Sequence, residues 1–171
     1  MNETTAAALA EGLLTAMRAE HEGHHFYSMA AKNTDDPKGR EVFLRLAAEE
    51  LDHLEFLKAQ HRAILETGRP NADITLGPRS DITGSSPVFS DALRQRIATA
   101  HYEMVALSVG TQLELDAIRF YTEAAAAAAD QVVKAFYKEL AAWERGHYEA
   151  LNAQQETLKD DYWAGAGFAP F

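Results

Sequence analysis

Apolar residues recur along this chain with the spacing of amphipathic α-helices, and the pattern predicts four long helices. Near one face of the first helix lie Leu9, Leu13, Met17, Glu20, His24 and Tyr27. The four helices are predicted from about Thr4 to Lys32, from Pro37 to about Thr67, from near Ser90 and Asp91 to the alanine run 124–129, and from Asp130 to about Lys159. Capping residues mark several of these ends, namely Asp36 before Pro37, Gly68 and Asp130. The pattern therefore predicts an all-α fold.

The connections between the helices predict how they are arranged. Short turns follow the first and third helices, so each of these pairs is expected to be antiparallel. The crossover loop 68–89 holds three of the five prolines and three glycines. A loop of about 21 residues can span roughly 60–70 Å, enough to start the third helix parallel to the second. Residues 90–97 are either a separate helical piece of this crossover or an overhang of the third helix.

We expect one domain, residues 1–160, followed by an aromatic-rich tail, residues 161–171. The tail is predicted to fold back over the end of the bundle, and a docking peptide for a partner is the alternative. The alanine run 124–129 is interpreted as a closely packed stretch of helix rather than as disorder.

Two segments of the chain, 94 positions apart, match each other without a gap. Residues 20–57 align with residues 114–151. The alignment pairs Glu20 with Glu114, Tyr27 with Tyr121, Glu50 with Glu144 and His53 with His147. Each copy therefore holds one glutamate on its first helix and a Glu-x-x-His motif on its second.

Four glutamates and two histidines in this arrangement are the ligand set of a di-metal site inside a four-helix bundle. Residues at i and i+3 of a helix share a face, so each Glu-x-x-His pair can reach one metal region. A single such motif is weak, and chance supplies another at Glu22 and His25. That pair lies about 200° around the helix from Glu20 and is assigned to the solvated face.

The alternative is a duplicated hairpin whose glutamates and histidines are surface charges. Apolar residues surround the motif on the second helix, however, because Leu46 precedes Glu50 while Leu54 and Leu57 follow it. Buried carboxylates without a counter-charge cost several kcal/mol each. Two divalent cations would neutralise four carboxylates, which favours the metal site.

Composition narrows the possible functions. The chain of 171 residues has no cysteine, which excludes disulfides, thiol catalysis and Cys-ligated iron–sulfur centres. A formal charge of −10 argues against nucleic acid as a partner. No apolar run reaches membrane-spanning length, and no basic segment precedes the first apolar stretch, so we expect a cytoplasmic protein without a membrane partner.

The chain resembles the rubrerythrin-type branch of the ferritin-like superfamily across about residues 4–160. The matching motifs are Glu20-x-x-Gly23-x-x-Phe26-Tyr27, Glu50-x-x-His53, Glu114-x-x-Ala117-x-x-Phe120-Tyr121 and Glu144-x-x-His147. The resemblance implies a ferritin-like bundle with two bound iron ions. It implies that Glu50 and Glu144 bridge the ions, with Glu20, Glu114, His53 and His147 as terminal ligands.

Tyr27 and Tyr121 lie two helical turns beyond the terminal glutamates. We expect them to donate hydrogen bonds to the ligands, and core packing alone is the alternative. His24 is one turn from Glu20, and whether it approaches the metals is left open. His21, His61 and His101 are interpreted as surface residues.

Two departures from rubrerythrins bear on the chemistry. The extra glutamate that rubrerythrins carry three residues after the ligand of the third helix is replaced here by Ala117, and Gly23 is its counterpart. Without cysteine there is no rubredoxin domain, so an external electron donor is expected. The predicted function is redox chemistry with oxygen or hydrogen peroxide, of ferroxidase or peroxide-reductase type. The alternatives are a non-catalytic iron-binding or storage module and a manganese or mixed-metal protein. A homo-oligomer, most simply a dimer, is expected.

Overall fold

Four long helices and one short helix make up the fold in a computed structural model, which describes residues 3–76, 88–97 and 100–166. The helices are α1 (Glu3–Asn33), α2 (Pro37–Thr67), α3 (Asp91–Gln95), α4 (His101–Ala127) and α5 (Gln131–Ala166). The described ranges contain no β-strand. The prediction of an all-α bundle is confirmed, and the bounds of α1 and α2 agree with the predicted ones to within a residue.

Contacts between side chains fix the directions of the helices. His24 on α1 contacts Ala47 on α2, as expected for an antiparallel hairpin. Tyr27 bonds to Glu114 and Tyr121 bonds to Glu20, so α1 and α4 are also antiparallel. It follows that α2 and α4 run in the same direction. The predicted arrangement, two antiparallel hairpins joined by a crossover, is therefore confirmed.

Asp36 ties the turn of the first hairpin to the end of the crossover. Its Oδ2 accepts the Gly39 N–H at 2.8 Å, which caps α2 as the sequence predicted. The same carboxylate accepts bonds from the Ser90 N–H, at 3.1 Å, and from the Ser90 hydroxyl. Gly39 must lack a side chain, because a Cβ there would lie 2.3 Å from the ring of Phe89. The crossover is thus anchored where it returns to the bundle.

The structure decides between the two interpretations of residues 90–97 and corrects the predicted end of the last helix. Residues 91–95 form the separate helix α3, so the interpretation as a distinct helical piece is right. The prediction that the last helix ends near Lys159 is wrong, because α5 continues to Ala166. Arg94 on α3 binds Asp161 on α5 through two bonds of 2.6 and 3.0 Å, which holds this extension against the crossover. Residues 77–87 of the crossover loop and 167–171 of the predicted tail lie outside the described residues, and the domain division at residue 160 stays a prediction.

The apolar core forms two clusters on either side of a polar layer. One cluster includes Phe43, Leu46, Leu107 and Leu151, and the other includes Leu13, Leu57, Phe136 and Leu140. Ala124, Ala125 and Ala128 pack in or against the second cluster. Ala126, Ala127 and Ala129 are exposed and α4 ends at Ala127, so the interpretation of the run as closely packed helix is only partly right. Both clusters exclude water from the layer between them, where the predicted site residues lie.

Candidate metal centre

The six side chains predicted as metal ligands meet in the polar layer, where all of them are at most 4% exposed. α1 contributes Glu20 and α4 contributes Glu114, while α2 contributes Glu50 and His53 and α5 contributes Glu144 and His147. Helical periodicity explains this convergence, because residues three or four apart point to the same side. Every long helix therefore contributes to one buried cluster.

The cluster divides into two groups, each able to surround one metal ion. One group is Glu20, Glu50, His53 and Glu144, and the other is Glu50, Glu114, Glu144 and His147. Within each group the candidate ligand atoms lie within 4.8 Å of one another. Glu50 and Glu144 belong to both groups, which is the geometry expected of carboxylates that bridge two ions.

The imidazole nitrogen that faces each group is Nδ1. His53 Nδ1 lies 3.1 Å from Glu144, 3.3 Å from Glu20 and 4.0 Å from Glu50. His147 Nδ1 lies 3.3 Å from Glu50 and 3.5 Å from both Glu114 and Glu144. Metal–ligand bonds of about 2.0–2.2 Å place neighbouring ligands roughly 3 Å apart. These spacings are therefore close to those of a coordination sphere.

Several atoms of the cluster are buried without a hydrogen-bond partner. Among the described residues they include Glu50 Oε1, Glu144 Oε1, His53 Nδ1 and His147 Nδ1. Such atoms are costly in a protein interior unless something else satisfies them. All of them point into the cluster and all can bind a cation, so the residues present fit a pair of divalent metal ions.

The electrostatics of the metal-free cluster favour protonation of two of its carboxylates, Glu50 and Glu114. Burial, reinforced by the charges of Glu114 and Glu20, raises the pKa of Glu50 well above its ordinary value. Burial also raises the pKa of Glu114 to about 7, although His147 opposes the shift. Glu144 behaves differently, because burial raises its pKa but contact with His53 and His147 lowers it below the ordinary value.

The two imidazoles are held in their charged form by the carboxylates. Burial alone would lower the pKa of His53, but Glu144 and Glu20 raise it well above the ordinary value. His147 is affected in the same way by Glu114 and Glu144. The metal-free protein thus neutralises the cluster with protons, which metal ions would displace on binding.

Tyr27 and Tyr121 link the two hairpins across the cluster. The hydroxyl of Tyr27 donates to Glu114 Oε1, and that of Tyr121 donates to Glu20 Oε1. Burial, followed by the nearby glutamate charges, raises the pKa of both phenols, so both remain protonated donors. Each tyrosine therefore donates a hydrogen bond to the predicted terminal ligand of the opposite hairpin.

The remaining histidines lie outside the cluster. His24 Nδ1 contacts the carbonyl oxygen of Ala47 at 2.6 Å, so the histidine left open in the sequence is engaged with the backbone of α2. His21, His25 and His101 are exposed, as predicted, whereas His61 is half-buried. Glu22 is exposed together with His25, which agrees with the assignment of that chance motif to the solvated face.

Sequence reasoning missed two residues that contact the imidazoles from outside the cluster. Glu49 Oε2 lies 2.7 Å from His147 Nε2. Trp143 packs edge-on against His53, with 5.3 Å between the ring centroids. The 94-residue alignment pairs positions 49 and 143, so the signal was present in the sequence, but only the structure shows that both positions touch a histidine of the other hairpin.

A cavity of about 290 Å³ reaches the cluster between α1 and α4. Its lining includes all four glutamates of the cluster together with Gly23 and Ala117. A Cβ at Gly23 would lie 3.3 Å from the carboxyl group of Glu50, so glycine leaves room for that side chain to move. The cavity provides space for a small molecule beside the carboxylates.

The fold and the cluster together define a class of protein, an all-α, ferritin-like bundle whose buried carboxylates and imidazoles fit a metal site. The described helices include none with the length and apolar character required to cross a bilayer. The chain belongs to the rubrerythrin family, whose model matches residues 11–155. Neither the curated proteins nor the solved structures compared with the chain gave a match.

Proposed function

We propose that the chain binds two iron ions in this cluster and uses them for redox chemistry with oxygen or hydrogen peroxide. The observation that carries the proposal is the pair of four-residue groups that share Glu50 and Glu144. Membership of the rubrerythrin family supports iron as the metal. Because carboxylate-rich sites also suit manganese, a manganese or mixed-metal centre is the second candidate.

Under this proposal each residue has a defined task. Glu50 and Glu144 would hold both ions, Glu20 and His53 would complete the ligand set of one ion, and Glu114 and His147 would complete that of the other. When bound, two ferrous ions supply the two electrons that, with two protons, reduce one molecule of peroxide to two of water. The cavity beside Gly23 and Ala117 admits the oxidant.

The residues around the ligands hold the site in place and exclude water. Tyr27 and Tyr121 fix the orientation of Glu114 and Glu20 through their hydroxyl groups. The apolar clusters on both sides keep bulk water away from the charged layer. These contacts predefine the positions of the ligands, which is the protein's contribution to metal chemistry.

The balance between ferroxidase and peroxide-reductase activity depends on two absences from the sequence. Ala117 and Gly23 provide no additional carboxylate beside the four glutamates. The chain has no cysteine with which to hold an electron-transfer iron centre. We therefore expect rapid oxidation of bound ferrous iron in a single turnover, while sustained reduction of peroxide requires an added electron donor.

The proposal is tested by anaerobic titration of chelator-treated protein with ferrous iron, followed by oxygen or peroxide. Two ions per chain and a new near-ultraviolet absorption on oxidation are expected. Glu144→Ala should abolish binding of both ions, whereas Glu20→Ala should leave one, because Glu20 belongs to a single group. Glu139→Ala, an exposed position on the same helix as Glu144, is the matched control and should bind two ions.

Each outcome has a defined meaning. Failure of the parent protein to bind any divalent metal would overturn the proposal. Binding of manganese but not iron would select the second candidate. Two bound ferrous ions that neither oxygen nor peroxide oxidises would leave a metal-binding module without redox activity.

A further inference from the structure

The two halves of the cluster differ at one pair of equivalent positions that contact the imidazoles. Position 49 holds glutamate, and position 143, which is 94 residues later, holds tryptophan. Each residue lies against the histidine of the opposite hairpin, Glu49 against His147 and Trp143 against His53. The ligands themselves are matched between the halves, so the difference at the imidazoles lies in the residues that contact their outward-facing sides.

On the side of the ring that faces away from the cluster, His147 contacts the carboxylate of Glu49. The Nε2–H of His147 donates to Glu49 Oε2 at 2.7 Å. Nδ1 faces Glu50, Glu114 and Glu144, and it can present its lone pair there once an incoming metal ion displaces its proton. Only 12% of the Glu49 side chain is exposed, so its charge is weakly screened. A carboxylate in this position fixes the tautomer and the ring orientation and makes the imidazole a stronger donor to a metal.

At the equivalent position, His53 contacts the aromatic ring of Trp143. The planes of His53 and Trp143 are nearly perpendicular, at 87°. Among the described residues, no hydrogen-bond partner is found for His53 Nε2, and no carboxylate other than those of the cluster lies within 4.0 Å of the ring nitrogens. Nothing comparable to Glu49 therefore orients this imidazole or increases its basicity.

We infer that the two metal positions are unequal and that Glu49 makes the position with His147 and Glu114 the tighter one. The inference rests on the proposed two-metal site, but it concerns the order and affinity of binding rather than redox activity. The first ion occupies the group of Glu50, Glu114, Glu144 and His147, and the second fills the group that contains His53. Glu49 acts as a positioning residue, through His147, and does not itself bind the ion.

Cobalt(II) is the probe, because it binds nitrogen and oxygen ligands without being oxidised by air under mild conditions. Calorimetric titration of chelator-treated protein should show two steps, separated by more than the statistical ratio for identical sites. Crystals grown with one equivalent of cobalt should show the stronger anomalous peak beside His147. These two measurements give the affinity of each binding step and the position of the bound ion, independently of any enzymatic activity.

Variants at the paired positions test the cause. Glu49→Gln retains a hydrogen-bond acceptor but removes the charge, and it should weaken the tight step about 10- to 100-fold while leaving the weak step unchanged. Trp143→Glu places a carboxylate behind His53 and should strengthen the weak step, so that the two steps converge. Trp143→Phe is the matched control, since it keeps an aromatic ring and should preserve the order of binding.

Several results would overturn the inference. Equal anomalous peaks beside both histidines with one equivalent of cobalt would show equivalent positions. Equal weakening of both steps in Glu49→Gln would assign Glu49 a general structural role. If Trp143→Glu fails to fold, the Glu49→Gln titration and the crystals of the parent protein decide the question alone. Absence of any cobalt binding would instead refute the two-metal proposal on which the inference rests.

Discussion

Replacing Glu114 by glutamine should stabilise the metal-free protein at pH 8, although it removes a predicted ligand. The pKa of Glu114 is raised from 4.5 to about 7 in the folded protein. Between these two values the folded state holds a proton that the unfolded state has already released. The free energy of unfolding therefore falls as the pH rises through this window, and the loss persists above it.

The size of the effect follows from the change in the pKa of Glu114 on folding. Linkage gives a destabilisation of about 3 kcal/mol at pH 8 and of under about 1 kcal/mol at pH 5 from this one group. Glutamine has nearly the same shape, carries no charge and can still accept the bond from Tyr27. The gain is an upper limit, because His147 loses its attraction to Glu114 in the variant.

Urea denaturation of chelator-treated protein at pH 5 and pH 8 measures this effect. The difference in unfolding free energy between Glu114→Gln and the parent should be more favourable to the variant at pH 8 than at pH 5, by up to about 2.5 kcal/mol. Glu123→Gln, an exposed position on the same helix, should shift both values by less than about 0.5 kcal/mol. Parallel pH dependences of Glu114→Gln and the parent would refute the reasoning.

Three further predictions address the metal, the tyrosines and the crossover. Saturation with ferrous iron under anaerobic conditions should raise the melting temperature, because each ion at 100 times its dissociation constant adds about 2.7 kcal/mol to the free energy of unfolding. Identical melting curves with and without iron would argue against a buried site. Tyr27→Phe and Tyr121→Phe should each lower the unfolding free energy of the metal-free protein by about 1.5–3 kcal/mol, because a buried acceptor loses its donor. Urea denaturation measures both values, and an unchanged unfolding free energy in either variant would contradict the role given to that hydroxyl. Asp36→Ala should cost about 2–4 kcal/mol, because it removes the cap of α2 and both bonds from Ser90. The exposed neighbour Asp35 provides the control for that measurement, and an equal loss in Asp35→Ala would contradict the assignment.

Local rules were sufficient to predict the helices and the residues of the cluster. Helical periodicity decides which side chains share a face, so the spacing of Glu50 and His53 placed both on one face of α2. The apolar neighbours Leu46, Leu54 and Leu57 indicated that this face is buried. The cap at Asp36 depends only on residues within one turn, and it too could be read from the sequence. The 94-residue repeat then supplied what local rules lack, namely which faces meet.

The features that sequence reasoning missed all depend on contacts between distant elements. α5 extends past Lys159 in the region where Asp161 binds Arg94, a residue 67 positions earlier in the chain. Glu49 and Trp143 are identifiable as a pair in the alignment, but their contacts depend on the packing of α2 against α5. The sequence pattern within one helix does not determine the axial register in which that helix packs against another.

The crossover that joins the hairpins has a consequence for the ancestry of the site. A homodimer of one hairpin could assemble the same four glutamates and two histidines, but its symmetry would force the same residue at positions 49 and 143. Once both hairpins belong to one polypeptide, the two positions are encoded separately and can diverge. Fusion of the halves is therefore what permits one imidazole to contact a carboxylate and the other an indole.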